Sequence, residues 1–317
     1  MRKNVLLINP TIRPIGVELL EKECNIFMAP DGKEDTLIRY IVDNNIDAIV
    51  TRVEKITKNI IKNCNKLKII AQHGVGVDNI DVIAATEKGI MVLNVPDANY
   101  VSVAEHALML VLALSRRLLM ADKNVRMGNW EFRETNIPIE IAKKNLFIIG
   151  LGRIGKEFAQ KAKAMDMNVK GYDLYVSKAE MASIGVEKID ELMDGIKDAD
   201  FISIHTPLTL ETKGLISSEQ FSAMKNDAYI INLGRGSIID EKALYDALKN
   251  KEIAGAGLDV FELEPADKSN PLFEFDNVIV TPHFGGDTIE GKDRCSLKCA
   301  QALIEALNGK IPYNCVN

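Results

Sequence analysis

Short β-branched apolar runs alternate with stretches of helical period along most of the chain. Asn4 to Ile8, Asn25 to Met28, Ala48 to Val50, Lys68 to Ala71 and Ile90 to Leu93 each precede an amphipathic segment. That rhythm predicts α/β units around a parallel sheet. Pro96-Asp97-Ala98-Asn99 interrupts it, and Ser102 is expected to cap one long apolar-striped helix running from about Val103 toward Arg126, long enough for a strut between two domains. A second series starts at Asn145 and repeats through Asn168 to Tyr172, Ala199 to Ile204, Ala228 to Asn232, Ile253 to Asp259 and Asn277 to Thr281. The last helical stretch, roughly Ile289 to Leu307, is closed by Asn308-Gly309 and leads into no further strand. It is expected to pack back on the first domain, which would then be discontinuous in sequence.

Composition narrows the classes. The 317 residues suit about two domains, and 47% hydrophobic with 26% charged residues describes a folded globular chain. Lys and Arg number 39 against 45 Asp and Glu, a net charge of −6 that offers no overall field for polyanions, so nucleic acid is not an expected partner. The run Val5 to Ile8, stopped by Asn9-Pro10, is too brief for a signal-peptide core, and no apolar stretch reaches the ~18 residues that span a bilayer. A cytoplasmic location without membrane attachment is expected. The five cysteines are odd in number and scattered, which predicts free thiols. Cys295 and Cys299 stand one helical turn apart, but no matching ligand pair lies elsewhere, so no metal is expected.

Leu146-Phe147-Ile148-Ile149 leads directly into Gly150-Leu151-Gly152-Arg153-Ile154-Gly155 and a helical stretch from Lys156 to Ala164. In a dinucleotide site the three glycines have separate tasks: Gly150 permits the tight turn, Gly152 lets backbone approach a pyrophosphate, and Gly155 lets helix and strand pack closely. N–H groups at the helix start then hold phosphate oxygens. Such a site also wants a carboxylate after the next strand, and Val169-Lys170-Gly171-Tyr172-Asp173 supplies Asp173. Its charge suits ribose hydroxyls and repels a 2′-phosphate, favouring NAD over NADP.

Three further segments sit where predicted strands end: Asn232-Leu233-Gly234-Arg235-Gly236, Leu258-Asp259-Val260-Phe261-Glu262-Leu263-Glu264-Pro265, and Thr281-Pro282-His283-Phe284-Gly285-Gly286. Ligands of open parallel sheets bind outside those carboxyl ends. Reduction of a 2-oxo acid needs a proton source, a cation for the carboxylate and carbonyl, and a group that orients the acid. His283, Arg235 and Glu264 can fill these roles in that order.

The sequence resembles the D-isomer-specific 2-hydroxyacid dehydrogenase family over nearly its whole length. The likeness includes Gly74-Val75-Gly76-Val77-Asp78-Asn79, Ser102-Val103-Ala104-Glu105-His106, the Gly150 loop, His205-Thr206-Pro207-Leu208-Thr209 and the three segments above. The resemblance implies a Rossmann doubly wound parallel sheet, residues 100–287, inserted into a flavodoxin-like α/β substrate domain made of residues 1–99 and 288–317, with the active site in the cleft. It also implies that Arg235, Glu264 and His283 are catalytic. Val75, Gly150, Gly152, Arg153, Ile154, Gly155, Asp173, His205, Thr206, Pro207, Leu233, Gly234, Arg235, Asp259, His283, Gly285 and Gly286 would surround NAD, Asp259 at the nicotinamide carboxamide. Val75, Gly76, Arg235 and Arg52 would meet the substrate.

Formate dehydrogenases of the family carry an amide where Glu264 stands, so Glu264 speaks for acid–base chemistry on a hydroxyl. The chain is similar above all to the D-3-phosphoglycerate dehydrogenase and hydroxypyruvate reductase branch, so D-3-phosphoglycerate, hydroxypyruvate or glyoxylate chemistry is expected. It stops at Asn317, and serine feedback at a C-terminal regulatory domain is not expected. Ile141-Ala142-Lys143-Lys144-Asn145 departs from many relatives, which carry a glycine there. His73 and His106 read as packing residues, and His205 as a backbone neighbour of the cofactor. Thr51-Arg52-Val53-Glu54-Lys55 reads either as a solvated loop or as a place where Arg52 or Lys55 reaches a distal anion. Met109, Leu110, Leu112, Ala113 and Leu114 form a face for core or for a homodimer seam. The alternative function is an NAD(H)-sensing protein or corepressor of the same fold.

Overall fold

A computed structural model describes residues 2–8 and 12–317; Asn9 and Pro10, the expected stop of the first apolar run, lie outside the described residues. The chain divides into two compact units: a split unit made of the residues up to Asn99 together with Asp287–Asn317, and a continuous unit, Tyr100–Gly286. Asp287 belongs with the split unit rather than with the block 100–287, because its carboxylate is bound there by Arg52 and Lys292.

Five strands build the split unit: β1 (Lys3–Ile8), β2 (Cys24–Ala29), β3 (Ala48–Thr51), β4 (Ile69–Gln72) and β5 (Met91–Leu93). They pair in parallel in the order β2-β1-β3-β4-β5, the flavodoxin arrangement. Successive residues of β1 serve opposite faces, so both faces must be apolar. Val5 and Leu7 join a cluster with Leu20, Cys299 and Leu303, while Leu6 and Ile8 join one with Leu37, Ile41 and Ile60. Thr288 caps the helix Ile289–Leu307 by accepting the Gly291 N–H, and Gly309 follows at φ 82. Helix Pro14–Glu23 lies so close to this helix that a Cβ on Gly16 would stand 2.7 Å from the Ser296 carbonyl oxygen.

The continuous unit holds β6 (Asn145–Ile149), β7 (Asn168–Tyr172), β8 (Glu187–Lys188), β9 (Phe201–Ile204), β10 (Tyr229–Asn232), β11 (Gly255–Leu258) and β12 (Val278–Val280). Their order is β12-β11-β10-β9-β6-β7-β8, all parallel. This is the doubly wound Rossmann sheet with one added edge strand, and its order reverses between β6 and β9. Leu146 and Ile148 face the core shared with Val103, Leu110 and Phe158, whereas Phe147 and Ile149 face the core shared with Ile196, Phe221 and Leu244.

Two local expectations are corrected. The helix expected from Val103 toward Arg126 is two helices, Tyr100–Ser115 and Leu118–Arg126, because Arg117 takes a left-handed conformation at φ 50 that ends the first. Ser102 is not its cap but a buried residue inside the first helix. In the departing segment before β6, Lys143 sits at φ 63, a conformation that glycine adopts without strain.

Candidate active site

Gly150 leaves β6 at φ 95, and a Cβ there would stand 2.7 Å from the Thr206 nitrogen and 2.8 Å from the His205 carbonyl carbon. Only glycine lets the ends of β6 and β9 close up at the switch point. A Cβ on Gly155 would meet the Gly150 oxygen at 2.1 Å, so the following helix rests on the turn itself. Gly152 is different: its Cβ would meet nothing within 4 Å. It stands at the N-cap of helix Arg153–Ala164, whose first turn, Arg153, Ile154 and Gly155, has no side-chain cap. N–H groups at an uncapped helix start suit a pyrophosphate. Asp173 follows β7 and accepts from the Leu151 N–H at 2.8 Å through one oxygen and from the Tyr175 and Val176 N–H groups, at 2.8 and 3.2 Å, through the other. The carboxylate is thus fixed beside the glycine turn with lone pairs left for ribose hydroxyls. These residues fit NAD.

His205 and Thr206 border the same turn by backbone. The His205 ring pairs with the Ser203 hydroxyl at 2.8 Å, packs edge-on against Phe158, and is pushed by burial to a pKa of about 3. Held neutral, it is no proton donor at ordinary pH. Pro207, next in the segment, is exposed.

The ends of β10, β11 and β12 carry the acid–base groups. The Asn232 side chain clips the first of these loops, accepting the Gly234 N–H at 3.0 Å and donating to the Arg235 carbonyl at 2.9 Å. Leu233 and Gly234 are buried beneath it, and the half-buried Arg235 donates from Nη1 to the Gly234 carbonyl at 2.8 Å. A Cβ on Gly236 would stand 1.8 Å from the Phe261 carbonyl carbon, so the arginine loop presses directly on the loop that carries Glu264. Glu264 accepts the Phe261 N–H at 3.0 Å through Oε1 and meets His283 Nδ1 at 2.6 Å through Oε2. Burial pushes its carboxyl up, but the His283 and Phe261 hydrogen bonds and the charges of His283 and Arg235 outweigh that and leave it below the usual carboxylate range. His283 occupies a left-handed backbone position, φ 51. With Nδ1 turned to Glu264, Nε2 is the nitrogen that can exchange a proton with a ligand.

Asp259 is buried at the end of β11, accepting the Phe284 N–H at 3.1 Å, the Gly285 N–H at 2.9 Å and the Thr281 hydroxyl at 2.6 Å. It grips the backbone around His283, and one lone pair remains for a carboxamide. Gly285 is buried against it and Gly286 closes the segment and the unit. Asn232 and Thr281 open two of the candidate segments, but their part as loop clips carries no signal beyond each being the polar residue at or just after the end of an apolar strand.

In the split unit, Arg52 pairs with Asp287, which also accepts from Lys292 at 3.0 Å. Burial raises the Asp287 carboxyl, but these two cations outweigh it and hold it below the usual range. The turn with Val75 and Gly76 is tied by its oxygens: the Asn94 amide donates to Val75 at 2.8 Å and the Val95 N–H to Gly74 at 2.7 Å. His73, buried beside it, meets the Ser296 hydroxyl at 2.9 Å and is pushed by burial to a pKa of about 4. Leu110, Ala113 and Leu114, expected as core or dimer seam, are buried in the continuous unit's own core, and Met109 is exposed.

Comparison with known proteins places this geometry. Residues 108–285, more than half of the chain, match the family described as D-isomer specific 2-hydroxyacid dehydrogenase, NAD binding domain. A D-3-phosphoglycerate dehydrogenase from Methanocaldococcus jannaschii is 43% identical over 98% of this chain and 59% of its own length. The chain therefore spans less than two thirds of the curated relatives it matches. Among solved structures, a glyoxylate reductase from Paecilomyes thermophila superposes with TM-score 0.90 at 27% identity, covering 99% of this chain and 98% of that one. A D-lactate dehydrogenase from Aquifex aeolicus, complexed with NAD and lactic acid, gives TM-score 0.85 at 29% identity and 96% coverage of both. The chain belongs to the D-isomer specific 2-hydroxyacid dehydrogenase family, and its continuous unit is that family's NAD-binding domain.

Proposed function

We propose that this chain interconverts a small D-2-hydroxy acid and its 2-oxo acid with NAD, the acid being D-3-phosphoglycerate, hydroxypyruvate or glyoxylate in its oxo or hydroxy form. The observation that carries the reading is the 2.6 Å contact between His283 Nδ1 and Glu264 Oε2, with the Arg235 charge reaching the same carboxylate. Bound NADH supplies the hydride for the carbonyl carbon. In that direction Glu264 fixes the imidazole with Nδ1–H turned toward it, and protonated His283 delivers the Nε2 proton to the carbonyl oxygen as its charge develops. Arg235 holds the substrate carboxylate through its two-pronged guanidinium, keeping the carbonyl in line. In the oxidising direction neutral Nε2 takes the hydroxyl proton. In the split unit, Val75 and Gly76 offer N–H groups, and Arg52 a cation, for an anionic oxygen.

NADH oxidation against hydroxypyruvate, 3-phosphohydroxypyruvate, glyoxylate and pyruvate tests the proposal; tight NADH binding with no turnover of any of them would replace the enzyme by an NAD(H) sensor. His283→Ala should lower turnover by ~10²–10⁴. A rate equal to the wild type would remove the proton-transfer role.

The proposal includes a cytoplasmic homodimer. No helix among the described residues is long and apolar enough to cross a membrane. Leu118, Leu119, Val125, Met127 and Trp130 lie exposed on and after helix Leu118–Arg126, apolar surface that a second copy would cover. Sedimentation as a monomer at micromolar concentration would remove the dimer.

A further inference from the structure

His106 projects from helix Tyr100–Ser115 toward the loop that carries His283, with its side chain only 9% exposed. Its Nε2 lies 3.1 Å from the Thr281 hydroxyl and 3.7 Å from the Asp259 carboxylate, and its ring stands edge-on to Phe284 with centroids 5.3 Å apart. The direction of these bonds is settled by chemistry. Asp259 Oδ1 accepts, so the Thr281 hydroxyl at 2.6 Å must spend its one hydrogen there. The Thr281 oxygen then accepts from His106, which must carry its hydrogen on Nε2.

The chain His106 Nε2–H to Thr281 Oγ1–H to Asp259 grips the loop just before His283. The Phe284 and Gly285 N–H groups on the same carboxylate grip it just after. Between the two grips the loop must reverse: the His283 N–H turns back to the Thr281 carbonyl at 3.0 Å around Pro282, and His283 takes φ 51. A left-handed histidine is maintained only where its surroundings over-determine it.

We propose that His106 is a positioning residue for the reaction, its Nε2–H fixing Thr281 and Asp259 so that the turn at His283 aims the imidazole at Glu264. This rests on the proposed dehydrogenase reading only for its kinetic consequence; the tautomers it requires do not.

Imidazole nitrogen NMR of the full chain, labelled at its four histidines, tests it without turnover. At a pH where both rings are neutral, His106 should show the Nε2–H tautomer and His283 the Nδ1–H tautomer. In His106→Leu, and in the near-isosteric Thr281→Val, the His283 preference for Nδ1–H should weaken. On the kinetic side, His106→Leu should lose about 10-fold or more in kcat with KM for the oxo acid and NADH affinity little changed, since a displaced acid harms the reaction rather than binding. His106→Gln, which returns an N–H donor at the same reach, should restore most of the loss. An Nδ1–H tautomer at His106 in the wild type, or a His283 tautomer indifferent to both substitutions, would overturn the proposal. So would a Gln variant as impaired as the Leu variant. Absence of turnover in the wild type would instead count against the dehydrogenase reading.

Discussion

Replacing Gly236 by alanine asks whether the three loops act as one assembly. The added Cβ would stand 1.8 Å from the Phe261 carbonyl carbon, 2.0 Å from its oxygen and 2.3 Å from the Glu262 nitrogen, whereas ordinary contact begins at 3.4 Å. Backbone cannot rotate away as a side-chain tip can, so the two loops must part by about 1.6 Å at that point, the difference between 3.4 and 1.8 Å. The Phe261 N–H holds Glu264, so the displacement reaches the carboxylate that orients His283. Misplacement of a reacting group by about 1 Å can cost on the order of 10² in rate, and overpacking costs about 1–3 kcal/mol of stability. Gly236→Ala should therefore lower kcat by about 10² while NADH still binds, because the Gly150 turn is untouched. Steady-state kinetics, an NADH fluorescence titration and a melting curve separate these effects. A lowered melting temperature with kcat within about threefold of wild type would show that the contact supports the fold alone and refute the argument.

Gly152→Ala should have the opposite profile, melting unchanged but NADH affinity reduced, since its Cβ projects into open space at the uncapped helix start; calorimetric titration with NADH checks it. Buried His73 and the desolvated ring of half-buried His205 are held neutral, at pKa values of about 4 and about 3 against 6.5 unfolded, so the unfolded chain binds more protons through this range. Their stabilisation is complete above about pH 6.5 and is lost on acidification toward the folded values, each unit losing about 2 kcal/mol by pH 5. Scanning calorimetry from pH 8 to 5 reads this, and flat stability would show that both rings accept protons in the folded chain. Lys143→Gly should be neutral or stabilising by up to about 1 kcal/mol, since the left-handed φ strains lysine, although glycine gives back chain entropy; a denaturant midpoint that falls instead would contradict it.

The parallel strands were legible because strands buried on both faces are continuous apolar runs, as in Leu146 to Ile149. β8 was not, being only Glu187–Lys188 at the sheet edge with no core residue to mark it. The break at Arg117 was hidden because its left-handed turn uses neither glycine nor proline. Arg235, Glu264 and His283 drew attention as polar residues after strand ends. How they are held was not legible: the bonds of Asn232 stay within a single loop, and those of Thr281 and His106 join segments 22 to 175 positions apart, which no local spacing encodes.

The discontinuity of the split unit bears on synthesis. Its sheet face around Val5, Leu7 and Val50 is covered by side chains from the last helix, Ile289–Leu307. A ribosome releases those residues only after the whole continuous unit, Tyr100–Gly286, has been made. The interior segment can therefore mature while translation continues, whereas the earliest strands wait with greasy surface uncovered, a window in which chaperones find their substrate.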